Sequence, residues 1–279
     1  MNKPARIIFF ILVLTMISPR GLAYDISNPT GGRSAAMGRT SACSRGLWAI
    51  QNNPAGLSQL NGIAFGVYYE NRWFTKATGF KSAAFAMSFD KAGTIGVSFN
   101  QFGYELYNEN KLGIAYAKGF GQYIQIGLQL DYLFLKSSDD YGRQDAITFE
   151  IGLQSHVTDK LTLGTYLFNP VSIKMHTFND AKIPTVFRFG IEYQFTKNFS
   201  AQCEIEKDTS HKGVSLRAGL EYQVINNLFI RAGAQSNPGV FTFGVGYEIK
   251  FFQINIAAQM HSKLGASLQA GAIFNFNRK

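Results

Sequence analysis

The chain has 279 residues, of which 16% are charged and 14% aromatic, with 28 glycines and a formal net charge of +9. Charged residues fall below the roughly 25% of soluble domains, yet the mean hydropathy is near zero, which excludes a helical membrane protein. The basic residues are scattered rather than grouped in runs, which argues against a nucleic-acid partner. This composition fits strands that are apolar on one side only.

The first 23 residues have the pattern of a secretory signal peptide. Lys3 and Arg6 supply a basic start, residues 7–16 are apolar, and Ala23 ends a site for cleavage before Tyr24. An uncleaved anchor is the alternative, but the apolar run is far shorter than the roughly 18 residues that span a bilayer. We therefore expect an exported chain.

Residues 24–60 differ from the rest of the sequence. They are rich in Gly, Ala, Ser and Asn and contain no alternating run of strand length. Such a segment is either a disordered leader or a plug folded into the mouth of a barrel. We favour the plug, because the barrel predicted for residues 61–279 is wider than the roughly eight-stranded size that its own side chains fill.

Alternating runs dominate residues 61–279. In 122–136, apolar residues such as Ile126 and Leu128 alternate with polar ones such as Gln125 and Gln129. A period of two over about ten residues is the length and pattern of a membrane-spanning strand. About fourteen such runs are predicted, at 61–70, 79–89, 93–103, 110–119, 122–136, 145–156, 160–169, 184–195, 198–207, 213–224, 227–236, 239–249, 251–260 and 264–276. The sequence therefore predicts an all-β fold, a transmembrane antiparallel barrel.

The connections between these runs alternate in length. Every second one is short: 90–93, 119–121, 157–160, 196–198 and 225–227. The intervening ones are mostly longer, as at 169–184. Short periplasmic turns that alternate with longer external loops are typical of outer-membrane barrels. We expect a barrel in the outer membrane of a Gram-negative bacterium, surrounded by lipid, with both termini in the periplasm.

If the apolar face of each strand meets lipid, the opposite face lines the lumen. In the later strands this face carries charges of both signs, at Arg188, Glu192, Glu204, Glu206, Arg217, Glu221 and Arg231. Opposite charges on neighbouring strands predict ion pairs across the inner wall, because buried charges must be paired or hydrated. The network either forms a selective polar conduit or fixes the register and shape of the barrel, and we favour the second interpretation.

Aromatic residues concentrate near the predicted strand ends. The expected positions of a girdle at the lipid head groups are Tyr68, Tyr69, Trp73, Tyr104, Tyr107, Tyr132, Tyr193, Tyr222 and Tyr247. The alternative is the ordinary preference of aromatic residues for strands. Four loop residues are candidates for an exposed patch that contacts a partner: Trp73, Phe74, Tyr104 and Phe178.

The sequence lacks the common catalytic motifs. HExxH, CxxC, phosphate-loop and GxSxG patterns do not occur, so neither an enzyme nor a cofactor or metal site is predicted. His211 lies near Asp208 and Ser210, but polar loops bring such residues together by chance. Cys43 and Cys203 are expected to be free thiols, because Cys203 falls on a lipid-facing position.

Two short motifs carry a family resemblance. The string GRSAAMG, from Gly32 to Gly38, is followed by NNPAGL, which contains Asn53, Pro54 and Ala55. This signature resembles that of FadL-like outer-membrane proteins, in which a Gly/Ala-rich segment and an Asn-Pro-Ala motif precede a fourteen-strand barrel. The strings ENRW and FGYELYNENKLGIAYAK, together with the strand spacing, resemble the PorV/PorQ branch.

The resemblance implies two non-enzymatic functions. PorV-like members serve the type IX secretion system as accessory barrels, so the partners would be other outer-membrane or secretion-machine proteins. FadL-type members are passive transporters of hydrophobic molecules, and they are longer, with large external loops. The short loops and polar lumen favour the accessory barrel as the main expectation, with the transporter as the alternative. A transporter should have a continuous apolar cavity behind the Asn53–Ala55 turn.

Overall fold

The computed structural model describes residues 27–137, 143–173 and 183–276. The predicted signal peptide, the loop candidate Phe178 and both chain termini lie outside the described residues. Among those described, no helix is long and apolar enough to cross a membrane.

Fourteen antiparallel strands close into one barrel, in which each strand pairs with its sequence neighbours and β1 pairs with β14. The strands are β1 Ile63–Asn71, β2 Gly79–Ser88, β3 Thr94–Gly103, β4 Tyr107–Phe120, β5 Ile124–Ser137, β6 Arg143–His156, β7 Leu161–Phe168, β8 Val186–Thr196, β9 Phe199–Asp208, β10 Ser215–Ile225, β11 Leu228–Gln235, β12 Val240–Ile249, β13 Phe252–His261 and β14 Gly265–Phe276. The predicted barrel and its strand count are confirmed. Closure removes the unpaired sheet edges that lipid could not solvate.

The alternation of the sequence sorts side chains onto the two faces of the wall. Along β5, Ile126 and Leu128 are exposed on the outer face, whereas Gln125, Gln129 and Asp131 are buried on the inner face. The same pattern recurs around the barrel, so the outer face is a belt of large apolar side chains. This arrangement matches a wall that meets lipid outside and polar groups inside.

The two ends of the barrel differ. We call the end with the β2–β3, β4–β5 and equivalent connections the turn end, and the opposite end the loop end. β14 finishes at Phe276 on the turn end, where it pairs with Ile63 at the start of β1. Two girdle predictions are wrong. Tyr68 points inward and is buried against Trp48 and Phe80, at ring-centroid distances of 6.0 Å and 6.1 Å. Tyr107 shares the inner face of β4 with Glu109, to which it donates its hydroxyl at 2.8 Å. At both positions the inward parity of the strand outweighs the preference of tyrosine for head groups.

Residues 27–60, here called the lumenal segment, lie inside the barrel. Within it a helix spans Gly32–Ala36, a second spans Ala49–Asn52, and a 3₁₀ helix spans Pro54–Gln59. Their buried apolar side chains, such as Ile50 and Leu57, form a core with small inward residues of the wall. The segment occupies the interior that strand side chains alone would leave unfilled.

Candidate functional site

Inward-facing glycines let the lumenal segment approach the wall closely. A Cβ added at each would collide with the segment, as at Gly66, Gly96, Gly127, Gly152, Gly164, Gly190, Gly219, Gly233 and Gly244. At Gly127 the added atom would lie 2.2 Å from the backbone carbon of Pro54. At Gly127, Gly164, Gly219 and Gly233 the wall therefore contacts the backbone of the segment directly, which only glycine permits, and at the other positions it contacts side chains of the segment.

The GRSAAMG motif forms the first of these contacts. A Cβ at Gly32 would lie 2.4 Å from the Cβ of Asn255, so the helix start packs directly on β13. Gly38 has a φ of 65° and donates its backbone N–H to Thr242 Oγ1 at 2.8 Å. The next residue, Arg39, also has a positive φ of 61°, a conformation that non-glycine residues rarely adopt. The chain therefore bends sharply at Gly38 and Arg39.

Asn53 fixes the Asn-Pro-Ala turn against the wall. Its side-chain amide donates to the carbonyl oxygens of Ala42 at 2.5 Å, Thr165 at 3.2 Å and Leu153 at 3.4 Å. Its Oδ1 accepts the N–H of Ala55 at 3.2 Å and so caps the following 3₁₀ helix. One fully buried side chain thus joins the segment to both β6 and β7.

Replacing Asn53 by aspartate should loosen this turn. The isosteric change removes the amide donor and aims a carboxylate at three carbonyl oxygens, which should weaken docking by about 1–3 kcal/mol. The reporter is alkylation of Cys43, whose thiol is buried; burial raises its pKa and suppresses its reactivity while the segment is docked. In a Cys203→Ser background we expect faster alkylation of Cys43. Asn61→Asp, at an exposed position, is the control; equal rates for both variants would contradict the role of Asn53.

The seven predicted lumen charges all face inward and form ion pairs. Arg188 pairs with Glu206 at 2.6 Å, and Arg231 pairs with Glu221 at 2.5 Å. Arg217 pairs with Glu204 at 3.1 Å and also with Glu206. Glu192 is the exception, because its partners Arg33 and Arg45 belong to the lumenal segment. The predicted cross-strand pairs therefore form, and the segment completes them.

Sequence reasoning missed the part played by the arginines of the segment. Arg33 pairs with Glu221 at 2.9 Å, and Arg39 pairs with Glu70 at 2.5 Å. Although burial alone would lower the pKa of Arg33, the carboxylates of Glu221 and Glu192 raise it above its ordinary value. The clue in the sequence was the placement of three arginines in a Gly/Ala-rich segment that faces an acidic wall.

A second charged cluster in the wall was also missed. Lys111 Nζ lies 2.6 Å from Glu150 Oε1, and Asp131 interacts electrostatically with both groups. All three side chains are fully buried. Gln129 Nε2 donates to Asp131 Oδ1 at 2.8 Å. The cluster ties β4, β5 and β6 together.

The loop candidates are placed unequally. Phe74 and Tyr104 are exposed at the loop end, with 63% and 46% of their surfaces accessible. Trp73 is only half-buried, and its backbone N–H donates to Ser267 Oγ at 3.2 Å. Trp73 and Phe74 share a left-handed backbone, with φ of 54° and 53°. Hence the structure exposes two of these candidates and leaves the third half-buried.

The cavities inside the barrel are small and polar, whereas a groove of about 510 Å³ on the outer wall is lined mainly by apolar side chains such as Phe189, Ile205 and Leu216. Two open at the turn end, of about 230 Å³ beside Arg33 and Asn61 and about 340 Å³ beside Arg45 and His156. One of about 120 Å³ opens at the loop end, beside Asp208. Pro54 and Asn53 abut the glycines of the wall, so no continuous apolar cavity lies behind the Asn53–Ala55 turn in the residues that the structure describes.

The loop end holds no recognisable catalytic arrangement at His211. Its Nδ1 contacts both Ser210 Oγ at 2.9 Å and Asp208 Oδ2 at 3.2 Å. A catalytic triad needs the serine and the carboxylate on different ring nitrogens. Within residues 27–137, 143–173 and 183–276, no cluster of His, Cys, Asp and Glu is arranged to hold a metal ion. Cys43 is buried, and Cys203 is exposed on the outer wall.

Comparison with known proteins identifies the fold. No family model and no curated protein matches the sequence. Among solved structures, the P. putida toluene transporter TodX aligns with a TM-score of 0.69 at 13% identity, over 90% of this chain and 100% of that chain. A Pseudomonas aeruginosa FadL homologue aligns with a TM-score of 0.65 at 12% identity, over 89% of this chain and 98% of that chain.

This chain has the fold of the FadL-type outer-membrane barrels. The alignments extend over about nine tenths of this chain and nearly all of each neighbour. At this identity the likeness covers architecture alone, and the PorV/PorQ branch remains a prediction.

Proposed function

We propose that the protein is a passive outer-membrane channel for small hydrophobic molecules, in which the lumenal segment is the plug. The observation that carries this proposal is a barrel of FadL-type fold whose interior is occupied by its own N-terminal residues. The apolar outer wall suits the outer membrane, and the turn end would face the periplasm. The structural neighbour TodX, a toluene transporter by name, makes monoaromatic compounds the first solutes to try.

The closed polar lumen requires the plug to move. Because its contacts with Gly127 and Gly152 leave no space, a solute can pass only if the segment shifts from the wall. The segment is held by hydrogen bonds and ion pairs as well as by the apolar core around Ile50 and Leu57. Polar contacts can exchange for water as they break, which suits a part that opens and closes.

A disulfide between the segment and the wall should block passage. The Cβ atom of Ala42 lies 2.9 Å from a Cβ built on Gly190, slightly closer than the roughly 3.5–4.5 Å of disulfides, so a small shift allows the bond. We expect the Ala42→Cys/Gly190→Cys variant, with both native cysteines replaced by serine, to lose uptake when oxidised and regain it on reduction. Uptake of radiolabelled toluene by cells lacking other hydrocarbon channels is the measurement.

Each single-cysteine variant serves as the control and should transport under both conditions. Uptake by the unlocked protein no faster than in cells without it would reject the channel. Full uptake through the oxidised lock would instead show that the segment need not move.

The second candidate is an accessory barrel of a protein-secretion machine of the PorV/PorQ type. The closed polar lumen favours it, as do Phe74, Tyr104 and Leu106, each of which is exposed at the loop end. A stoichiometric outer-membrane partner that co-purifies after gentle detergent extraction would support this function. Co-purification should then be lost in a Phe74→Ser/Tyr104→Ser variant.

A further inference from the structure

Most carboxylates that hold the lumenal segment also hold an arginine of the barrel. Glu70, Glu204 and Glu221 each contact the segment on one side and a barrel arginine on the other. Glu192 differs: among the described residues it forms ion pairs only with Arg33 and Arg45 of the segment. If the segment leaves, Glu192 therefore loses both of these partners.

Glu70 shows the shared arrangement most clearly. Its Oε1 accepts from Arg39 Nη2 of the segment at 2.5 Å and from Arg72 Nε of the β1–β2 connection at 2.8 Å. Tyr68 donates its hydroxyl to Oε2 at 3.2 Å. Arg72 is also stacked on the rings of Phe80 and Phe102, which hold it in place independently of the segment.

Glu221 and Glu204 repeat the arrangement. Arg33 of the segment contacts both carboxylate oxygens of Glu221, while Arg231 of β11 donates to Oε2 at 2.5 Å. Glu204 accepts the backbone N–H of Ala42 at 2.6 Å, while Arg217 of β10 donates to it at 3.1 Å. If the segment departs, each carboxylate keeps a cation from the barrel.

A buried charge that loses its only partner is costly, whereas one that keeps a second partner is not. We propose that Arg72, Arg217 and Arg231 are stand-in counter-ions that let the segment leave without stranding Glu70, Glu204 or Glu221. Glu192 has no stand-in and therefore acts as the tether that keeps the segment closed. This inference rests on the proposed channel function, in which the segment is a plug that moves.

The direction in which segment opening changes when these arginines are removed distinguishes stand-in counter-ions from residues that only stabilise the closed state. If Arg72 and Arg231 merely stabilised the network, their removal would loosen the segment. As stand-ins, they stabilise the open state more than the closed one, because the closed state keeps Arg39 on Glu70 and Arg33 on Glu221. Removing them should therefore hold the segment closed.

The test measures alkylation of Cys43 by a small maleimide in the Cys203→Ser protein, reconstituted in lipid vesicles. We expect Arg72→Met and Arg231→Met to slow alkylation several-fold, and Glu192→Gln to accelerate it by about tenfold or more, since it releases the tether. Arg143→Met removes an exposed arginine that pairs with Asp145 away from the segment, and it should change nothing. Heat-modifiable migration in gels confirms that each variant is folded.

Faster alkylation in both Arg72→Met and Arg231→Met would overturn the proposal, as would an unchanged rate in Glu192→Gln. If an arginine-to-methionine variant misfolds, it is replaced by the glutamine variant, Arg72→Gln or Arg231→Gln, which also removes the charge and should also slow alkylation. The assay reads plug opening without any solute. If the rates shift as expected but toluene uptake is absent, the stand-in arrangement stands and the channel function fails.

Discussion

Replacing Lys111 by methionine is expected to lower the free energy of unfolding by about 3–5 kcal/mol, because it strands a buried carboxylate. Lys111 Nζ donates to Glu150 Oε1 at 2.6 Å and lies 5.7 Å from the ring centroid of Phe168. Without it, Glu150 and Asp131 would be left as two acidic groups with no cation between them. Neither side chain is accessible to water.

Urea-induced unfolding of the protein in lipid vesicles measures this loss. Lys136→Met, at an exposed position on neighbouring β5, is the matched control and should cost little. The double variant Lys111→Met/Glu150→Gln should recover part of the loss, because it removes one of the two acids as well as the cation. Equal stability of the Lys111→Met and Lys136→Met variants would show that the cluster is hydrated rather than paired.

Replacing Gly127 by valine is expected to open the lumen. A Cβ at this position would lie 2.2 Å from the backbone carbon of Pro54 and 2.3 Å from the nitrogen of Ala55. These are backbone atoms and cannot rotate away. Strand β5 is hydrogen-bonded along its whole length to β4 and β6. The segment should therefore yield before the wall does.

Ion conductance across planar bilayers detects this opening. The parental protein should conduct little, because the segment fills its interior, whereas Gly127→Val should give stable open levels of a wide pore. Gly119→Val is the control, since an added Cβ there meets no atom closer than 3.8 Å. If Gly127→Val conducts no more than the parental protein, the barrel expands to accept the side chain while the segment remains docked.

The sequence predicted the barrel well, because the alternation of apolar and polar residues that marks a membrane-spanning strand is visible within each run. Each run alternates with a period of two, and both ends of all fourteen strands lie within about three residues of the predicted ones. The inward direction of Arg188, Glu192 and the other lumen charges followed from the same parity. Tyr68 shows the limit: its residue type suggested lipid head groups, and parity placed it inside.

Partner choice inside the barrel was beyond the sequence. The residues around Arg33 do not indicate that it pairs with Glu221, 188 positions away, and those around Arg39 do not indicate that it shares Glu70 with Arg72. The glycines show the same limit. In the sequence Gly127 and Gly152 are only residues that weaken a strand, whereas in the structure the Asn-Pro-Ala turn packs against them. The sequence by itself determined the strands and the polarity of the two faces, since these depend on neighbouring residues. Only the tertiary structure decided which charges pair, which carboxylate lacks a second cation and how tightly the segment fills the lumen, because these depend on barrel closure.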